Sequence, residues 1–167
     1  AMAWCVAKDL PEAAVLYGQA AGETAAVAEL VARLALTLHY GGRLETLEQW
    51  LEWFDDDDLV RFPAIAVFGA WARALTGRSA EAQRWLSLAD GATSAIPLSD
   101  GSATIEPWVA TLRAAMMADG VERALADAER AHELLPPGSD WRATALCVRG
   151  IAQALLGAAD RARADLA

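Results

Sequence analysis

The residues from Ala70 to Ala89 form a pattern that few folds can accommodate: two helical segments joined at Gly77. The segment before Gly77 is apolar on every side, which is typical of a buried helix. Gly77 can adopt the left-handed conformation that ends a helix without a Cβ penalty. Beyond it, apolar residues recur at the i, i+3, i+4, i+7 spacing of one helix face, namely Ala82, Trp85, Leu86 and Ala89. The pattern predicts a helical hairpin with a buried first helix and an amphipathic second helix.

This hairpin pattern recurs along the chain. Apolar residues follow Gly77 at five and nine positions, and three other glycines share these offsets: Gly22 with Val27 and Val31, Gly42 with Leu47 and Leu51, and Gly157 with Ala162 and Leu166. A further copy runs through Met117, Asp119, Ala124 and Ala128, with Asp119-Gly120 shifting the turn. Repeats spaced irregularly by roughly 20 to 42 residues are typical of helical-hairpin solenoids. We therefore predict an all-α, tetratricopeptide-like α-solenoid of helical hairpins, part of a right-handed superhelix.

Turn and cap residues predict where the individual helices lie. Trp50 and Trp85 occupy matching positions and are expected to pack inside their hairpins, Thr24 is expected to cap a helix that reaches Tyr40, and Ser139 is expected to cap another. The expected helices span residues 4–7, 11–20, 24–40, 44–53, 63–76, 107–118, 121–135 and 139–156; a further helix follows Gly77 and runs to about residue 92, and the last one follows Gly157 and is still helical at residue 167. Residues 97–103 are the one linker-like stretch, and no alternating run of β-branched residues predicts a strand.

Composition narrows the class of protein. The chain has 167 residues, a net charge of −9 and a single lysine, so it repels phosphate backbones and is not expected to bind nucleic acid itself. It shows neither a signal peptide nor the roughly 18 apolar residues that a membrane span needs. Cys5 and Cys147 lack metal-ligand spacing and are expected to be reduced thiols of a cytoplasmic protein. We expect a single domain over residues 2–167, with Ala1 left by a tag.

Four linked segments resemble MalT-like regulators, the large ATP-dependent, LuxR-type transcription activators. The segments are residues 4–31, 41–54, 62–89 and 122–166, and the second and third carry a glycine-arginine pair, a tryptophan-leucine end, a proline and an alanine-tryptophan helix. The resemblance covers nearly the whole chain. It implies a superhelical sensor region that receives an inducer, often a small metabolite, and passes the signal to an ATP-driven oligomerisation module.

The resemblance also implies that the catalytic and DNA-reading parts of such a regulator lie outside this chain. The sequence has no GxxxxGK motif and no basic recognition helix, so ATP is expected in a missing N-terminal domain and DNA binding in a missing C-terminal helix-turn-helix. We expect this piece to be no enzyme and to carry no cofactor. Its expected partners are a small-molecule inducer or a regulatory protein, without a membrane, and its cut ends would allow homo-oligomers.

Two polar features could suggest other chemistry. The run Asp55–Asp58 resembles the aspartate-rich motif of terpenoid synthases, but Leu59 stands at the fifth position, where that motif needs an aspartate, and no second carboxylate cluster accompanies it. We interpret the run as a solvated turn at the start of a short helix. The two histidines, His39 and His132, lie far apart, and His132 falls in a charged run that we expect to face solvent.

If the hairpins stack as in tetratricopeptide repeats, the first helix of each pair lines a concave face. Counting back from the turns, we predict a ligand-binding set there: Arg33, Tyr40, Phe68, Trp71, Glu106 and Arg113, within a wider lining that includes Glu29, Leu36, His39, Val67, Val109, Met116, Val148 and Ile151. Aromatic faces beside arginines suit a polar organic ligand or a peptide. Alternatively, the apolar members only pack one layer on the next. Two other functions stay open: a generic repeat scaffold that binds a protein or peptide, and an all-α enzyme.

Overall fold

The computed structural model describes residues 1–166 and shows only helices and loops over that range. Eleven helices follow one another: α1 (Met2–Ala7), α2 (Pro11–Ala21), α3 (Thr24–Tyr40), α4 (Leu44–Leu51), α5 (Asp56–Arg61), α6 (Pro63–Leu75), α7 (Ser79–Ala89), α8 (Glu106–Met116), α9 (Val121–Leu134), α10 (Trp141–Leu155) and α11 (Ala159–Leu166). The described residues contain no strand, so the all-α prediction is confirmed. No helix among them combines the length and apolar character that crossing a bilayer requires.

The turns at Gly22, Gly42, Gly77 and Gly157 share one geometry. Each glycine has a positive φ, between 68° and 82°. The N–H of the following residue donates to a carbonyl five positions back, as Arg78 does to Arg73 at 2.8 Å. This is the hydrogen-bond closure of a Schellman motif, which ends one helix and redirects the chain into the next. Asp9 closes the α1–α2 turn in the same way with φ 55°, a hairpin that the sequence analysis missed because the turn residue is not glycine.

The positions five residues after these glycines are buried, as the offsets predicted. Val27, Leu47, Ala82 and Ala162 are each at most 4% exposed. The prediction for Trp50 and Trp85 is likewise confirmed, since both are buried. Leu166 departs from the pattern because it remains 52% exposed. The predicted copy that runs through Met117 and Asp119 has a different turn, in which Met117 and Gly120 both take positive φ.

We expect Gly77→Val to destabilise the chain by at least about 1 kcal/mol, because a β-branched residue is strained at φ 77°. Gly77→Asn should be milder, since asparagine tolerates the left-handed region. Urea unfolding of both variants measures the difference. Equal costs for valine and asparagine would show that the backbone conformation does not set the energetics at this turn.

Several helix ends differ from their predicted positions. Thr24 is the first helical residue and makes no capping bond, so its prediction as N-cap is wrong; Glu23 precedes the helix instead. Helix α4 ends at Leu51 rather than Trp53, and α7 ends at Ala89 rather than residue 92. Ser139 was predicted to cap α10, but the N-cap is Asp140; the Ser139 hydroxyl nevertheless accepts a bond from the Trp141 N–H at 3.3 Å.

Helix α6 is buried along most of its length and holds a charged residue in the core. Arg73 is 5% exposed, and its guanidinium carbon lies 3.7 Å from the centre of the Trp85 ring on α7. The guanidinium also donates to the Gly69 carbonyl at 3.2 Å and to Glu81 at 3.3 Å. Burial, and then the charge of Arg78, lower the pKa of Arg73. Because Gly69 has no side chain, the Trp85 ring can lie directly against the α6 backbone.

The chain divides into two compact units, with the boundary between Pro97 and Leu98. This boundary falls inside the linker-like stretch 97–103, yet the residues after it are firmly held in the second unit. The Asp100 carboxylate accepts hydrogen bonds from the Ser102 N–H, the Ser102 hydroxyl and Trp108 Nε1, each at 2.9 Å. It also accepts a bond from the Ser139 hydroxyl at 2.5 Å. Asp100 therefore ties the start of this unit to the residues just before α10.

Candidate functional site

The six predicted ligand-binding residues fall in both units. Arg33 and Tyr40 are exposed on α3, and Trp71 is half-buried on α6. Phe68, also on α6, is only 2% exposed. Glu106 is exposed and Arg113 half-buried on α8 in the second unit. Phe68 therefore belongs to the core of the first unit and not to its exposed surface, whereas the other five residues reach solvent.

The structure brings Tyr40 and Trp71 together through His39. The His39 ring lies 5.1 Å from the Tyr40 ring and 6.2 Å from the Trp71 ring, which it meets edge-on at 90°. We call His39, Tyr40 and Trp71 the aromatic cluster. It forms because α3 ends just before the Gly42 turn and packs against α6 there. Tyr40 is 74% exposed, so one face of the cluster can stack on a planar group.

Arg33 lies on the same side of α3 as Tyr40, because seven residues make almost two full helical turns. The rise between them is roughly 10 Å. Arg33 also borders an open pocket of about 310 Å³, whose lining includes the carboxylates of Glu23 and Glu29. The other lining residues are Met2, Ala3, Val6, Ala26 and Leu30. The exposed side of α3 thus offers a guanidinium at one end and a stacking surface at the other.

The aromatic cluster belongs to a wider pattern that the sequence analysis did not extract. Apolar residues stand six and two positions before each of the four turn glycines: Leu16 and Ala20, Leu36 and Tyr40, Trp71 and Leu75, Ile151 and Leu155. Residues four apart share one side of a helix. Leu16, Tyr40, Leu75, Ile151 and Leu155 are all between 40% and 74% exposed. The first helix before each of these glycines therefore keeps at least one exposed apolar residue, whereas Leu36 and Trp71 are themselves only partly exposed.

In the second unit, Glu106 is occupied by an ion pair. Its carboxylate accepts bonds from Arg130 on α9 at 2.9 to 3.0 Å, and both side chains are about half exposed. Such an exposed pair contributes little to stability, roughly 0 to 1 kcal/mol. A ligand that uses Glu106 would have to compete with Arg130.

No protein-family model, curated protein or solved structure matches this chain. The exposed side chains themselves are therefore the basis for proposing a function.

The acidic run forms a helix cap. The Asp55 side chain accepts a bond from the Asp58 N–H at 2.9 Å, which caps α5 as expected for a turn that starts a short helix. Burial, followed by the negative charge of Asp55, raises the pKa of Asp58. Asp56 forms an ion pair with Arg84. Within residues 1–166, no group of three His, Cys, Asp or Glu side chains is arranged to hold a metal ion.

His132 is only partly exposed, whereas the prediction had it facing solvent. It is half-buried, and its Nε2 lies 3.1 Å from Arg142 Nη2 on α10. Burial and the charge of Arg142 lower the pKa of His132. The sequence around His132 is charged and suggested an exposed face, but Arg142 is ten residues away along the chain and its approach could not be read from that local pattern.

Proposed function

We propose that this chain is the signal-sensing helical-repeat region of a MalT-like, LuxR-type transcription regulator. The observation that supports it most directly is the recurring hairpin, which has one turn geometry and at least one exposed apolar residue in the same register at each of four glycines. Hairpins of this kind stack into tetratricopeptide-like superhelices, whose repeated first helices present an extended binding face. In this proposal the protein is cytoplasmic and performs no catalysis of its own.

The proposed signal is a small organic inducer or a regulatory protein that binds the exposed side of α3. Tyr40 supplies a stacking face at low entropic cost, with the His39 ring beside it and Trp71 in contact with the other side of the cluster through His39. Arg33 supplies a charged donor suited to a carboxylate or phosphate group. A ligand with a planar part and an acidic group about 10 Å away would match both ends. ATP-driven oligomerisation and DNA reading then belong to a preceding ATPase domain and a following helix-turn-helix.

Tyr40→Ala should abolish most of the ligand-induced thermal shift in a screen of acidic aromatic metabolites. A ligand that binds only the folded state at a hundredfold excess over its Kd adds about 2.7 kcal/mol. For a chain of this size that raises the Tm by roughly 5 to 10 °C. Tyr17→Ala is the matched control, because Tyr17 is 53% exposed on α2 and is the only other tyrosine.

The second variant in this experiment is Arg33→Ala, which tests the charged end of the same surface. Loss of the shift with both Tyr40→Ala and Arg33→Ala, and its retention with Tyr17→Ala, would support the α3 site. If all three variants keep the full shift, the ligand binds elsewhere and the proposed site is wrong.

A second candidate function is a scaffold that binds an extended peptide or a helix. Exposed apolar residues on successive helices of the first unit favour it: Leu16 on α2, Tyr40 on α3 and Leu75 on α6, since an extended peptide or a helix makes several separate apolar contacts. The two proposals predict different neighbouring domains in the natural protein. A P-loop ATPase before it and a helix-turn-helix after it would favour the regulator, and other neighbours would favour the scaffold.

A further inference from the structure

Arg142 holds the end of α9 through two backbone bonds and one histidine. Its Nη1 donates to the carbonyls of His132 and Leu135, both at 3.0 Å. Its Nη2 lies 3.1 Å from Nε2 of His132. Carbonyls at the C-terminus of a helix lack partners within the helix, so a guanidinium there satisfies them and complements the helix dipole. The His132 ring is the third group that this guanidinium contacts.

The contact with Arg142 determines the protonation state of His132. A guanidinium has only donors, so Nε2 of His132 must accept the bond and carry no proton. The ring proton of the neutral histidine then sits on Nδ1. The Nδ1 atom is buried and has no hydrogen-bond partner among the described residues. An imidazolium would place a second N–H against Arg142, where it meets a positive charge and no acceptor.

The charges around His132 reinforce this arrangement. Arg142 and Arg149 on α10 oppose a second positive charge, whereas Glu133 on α9 and Asp165 on α11 favour it. Asp165 is largely engaged elsewhere, because Arg149 donates to both of its oxygens at 2.5 and 2.6 Å. That bond lowers the pKa of Asp165. On α8, which also packs against α9, Glu106 is paired with Arg130.

We propose that His132 and Arg142 form a pH-sensitive clamp, in which protonation of His132 expels the Arg142 guanidinium and releases the end of α9. The device goes beyond the proposed function and does not depend on any ligand. Release leaves the carbonyls of His132 and Leu135 without their side-chain donor. The packing of α9 on α10 in the second unit then loosens at acidic pH.

The sign of the effect follows from the lowered pKa of His132. Unfolded, this histidine titrates near its ordinary value of 6.5, so below that pH the unfolded state binds a proton that the folded state resists. The contribution to stability is complete above pH 6.5 and is lost as the pH falls through the folded pKa. Between pH 7.5 and 5.0, the unfolding constant can rise by at most about 30-fold from this one group.

The test compares the wild-type full chain with two variants, His132→Gln and His39→Gln. These replace, one at a time, the two histidines of the chain. Urea unfolding of the second unit is measured at pH 7.5 and 5.0. The wild type and His39→Gln should show an unfolding constant that rises at least about threefold more than in His132→Gln. Glutamine keeps an acceptor but does not titrate. Equal pH dependence in His132→Gln and the wild type would overturn the clamp.

A second measurement covers the case in which His132→Gln fails to fold. Imidazole nitrogen NMR of the wild-type chain reports the tautomer, with His39→Gln used to assign the signals. The clamp requires a neutral His132 with its proton on Nδ1 at pH 7.5 and a titration midpoint below 6.5. A proton on Nε2, or a midpoint at or above 6.5, would overturn it.

Discussion

Gly69→Ala should destabilise the first unit by about 3 kcal/mol, at the upper end of the cost of overpacking a core. An added Cβ would lie 2.0 Å from two atoms of the Trp85 ring. The ring has little room to move, because Arg73 packs over it and Trp85 is itself buried. The expected change in the free energy of unfolding is opposite in sign to the usual one for this substitution. In an ordinary helix the same substitution stabilises by about 1 kcal/mol, since alanine is the better helix former. Urea unfolding measures the change.

Two further comparisons isolate the contact. Gly138→Ala should be near neutral, because an added Cβ there meets nothing within 4 Å. In a Trp85→Leu background, Gly69→Ala should cost at least about 1 kcal/mol less than in the wild type, which is the coupling expected of residues in contact. Additive effects of the two substitutions would show that the glycine does not serve the tryptophan.

Asp100→Ala should destabilise the second unit by about 3 kcal/mol, because hydrogen bonds to a charged group contribute about 1.5 to 3 kcal/mol. The substitution removes the acceptor for four donors, including the indole N–H of the fully buried Trp108. Trp108 stacks at 5.3 Å against Trp141, so near-UV circular dichroism should weaken along with the Tm.

Asp119→Ala is the control for charge, since Asp119 is exposed in the same unit. Asp100→Asn retains one acceptor oxygen and should lie between the wild type and Asp100→Ala. An Asp100→Ala protein as stable as Asp119→Ala would mean that residues 98–103 hold their place without this network.

The parts of the fold that could be predicted from the sequence are those decided within a single hairpin. Leu47 follows Gly42 by five residues, and Ala82 follows Gly77 by five residues. Helix geometry alone makes this offset point to the buried side of the second helix, and both residues are buried. The helix that Pro63 begins was expected to be buried, and it is buried from Pro63 to Ala70, although Trp71 is partly exposed and Leu75 is exposed. Local chemistry sufficed because each turn and the stripe beside it lie within a few residues of each other.

What could not be predicted depends on residues distant in the chain. Residues 98–103 read as a linker, because the bond between Asp100 and Ser139 spans 39 positions. Arg73 is a buried charge whose partners lie on two helices. For the candidate site, Tyr40 is exposed, which ligand binding requires. Phe68 is buried because other helices pack against α6 in the folded chain. Its position relative to Gly77 in the sequence carries no information about those contacts.

The glycine-closed turns also bear on how quickly the chain can fold. Helices consecutive in sequence pack against each other on both sides of these turns, as α6 does on α7 and α10 on α11. Short loops cost little entropy to close, and a loop of ten residues closes in about 10 to 100 ns. Proteins rich in such local contacts fold in microseconds to milliseconds. Each unit can therefore nucleate at any of its turns, and the order in which its hairpins assemble need not follow the order of synthesis.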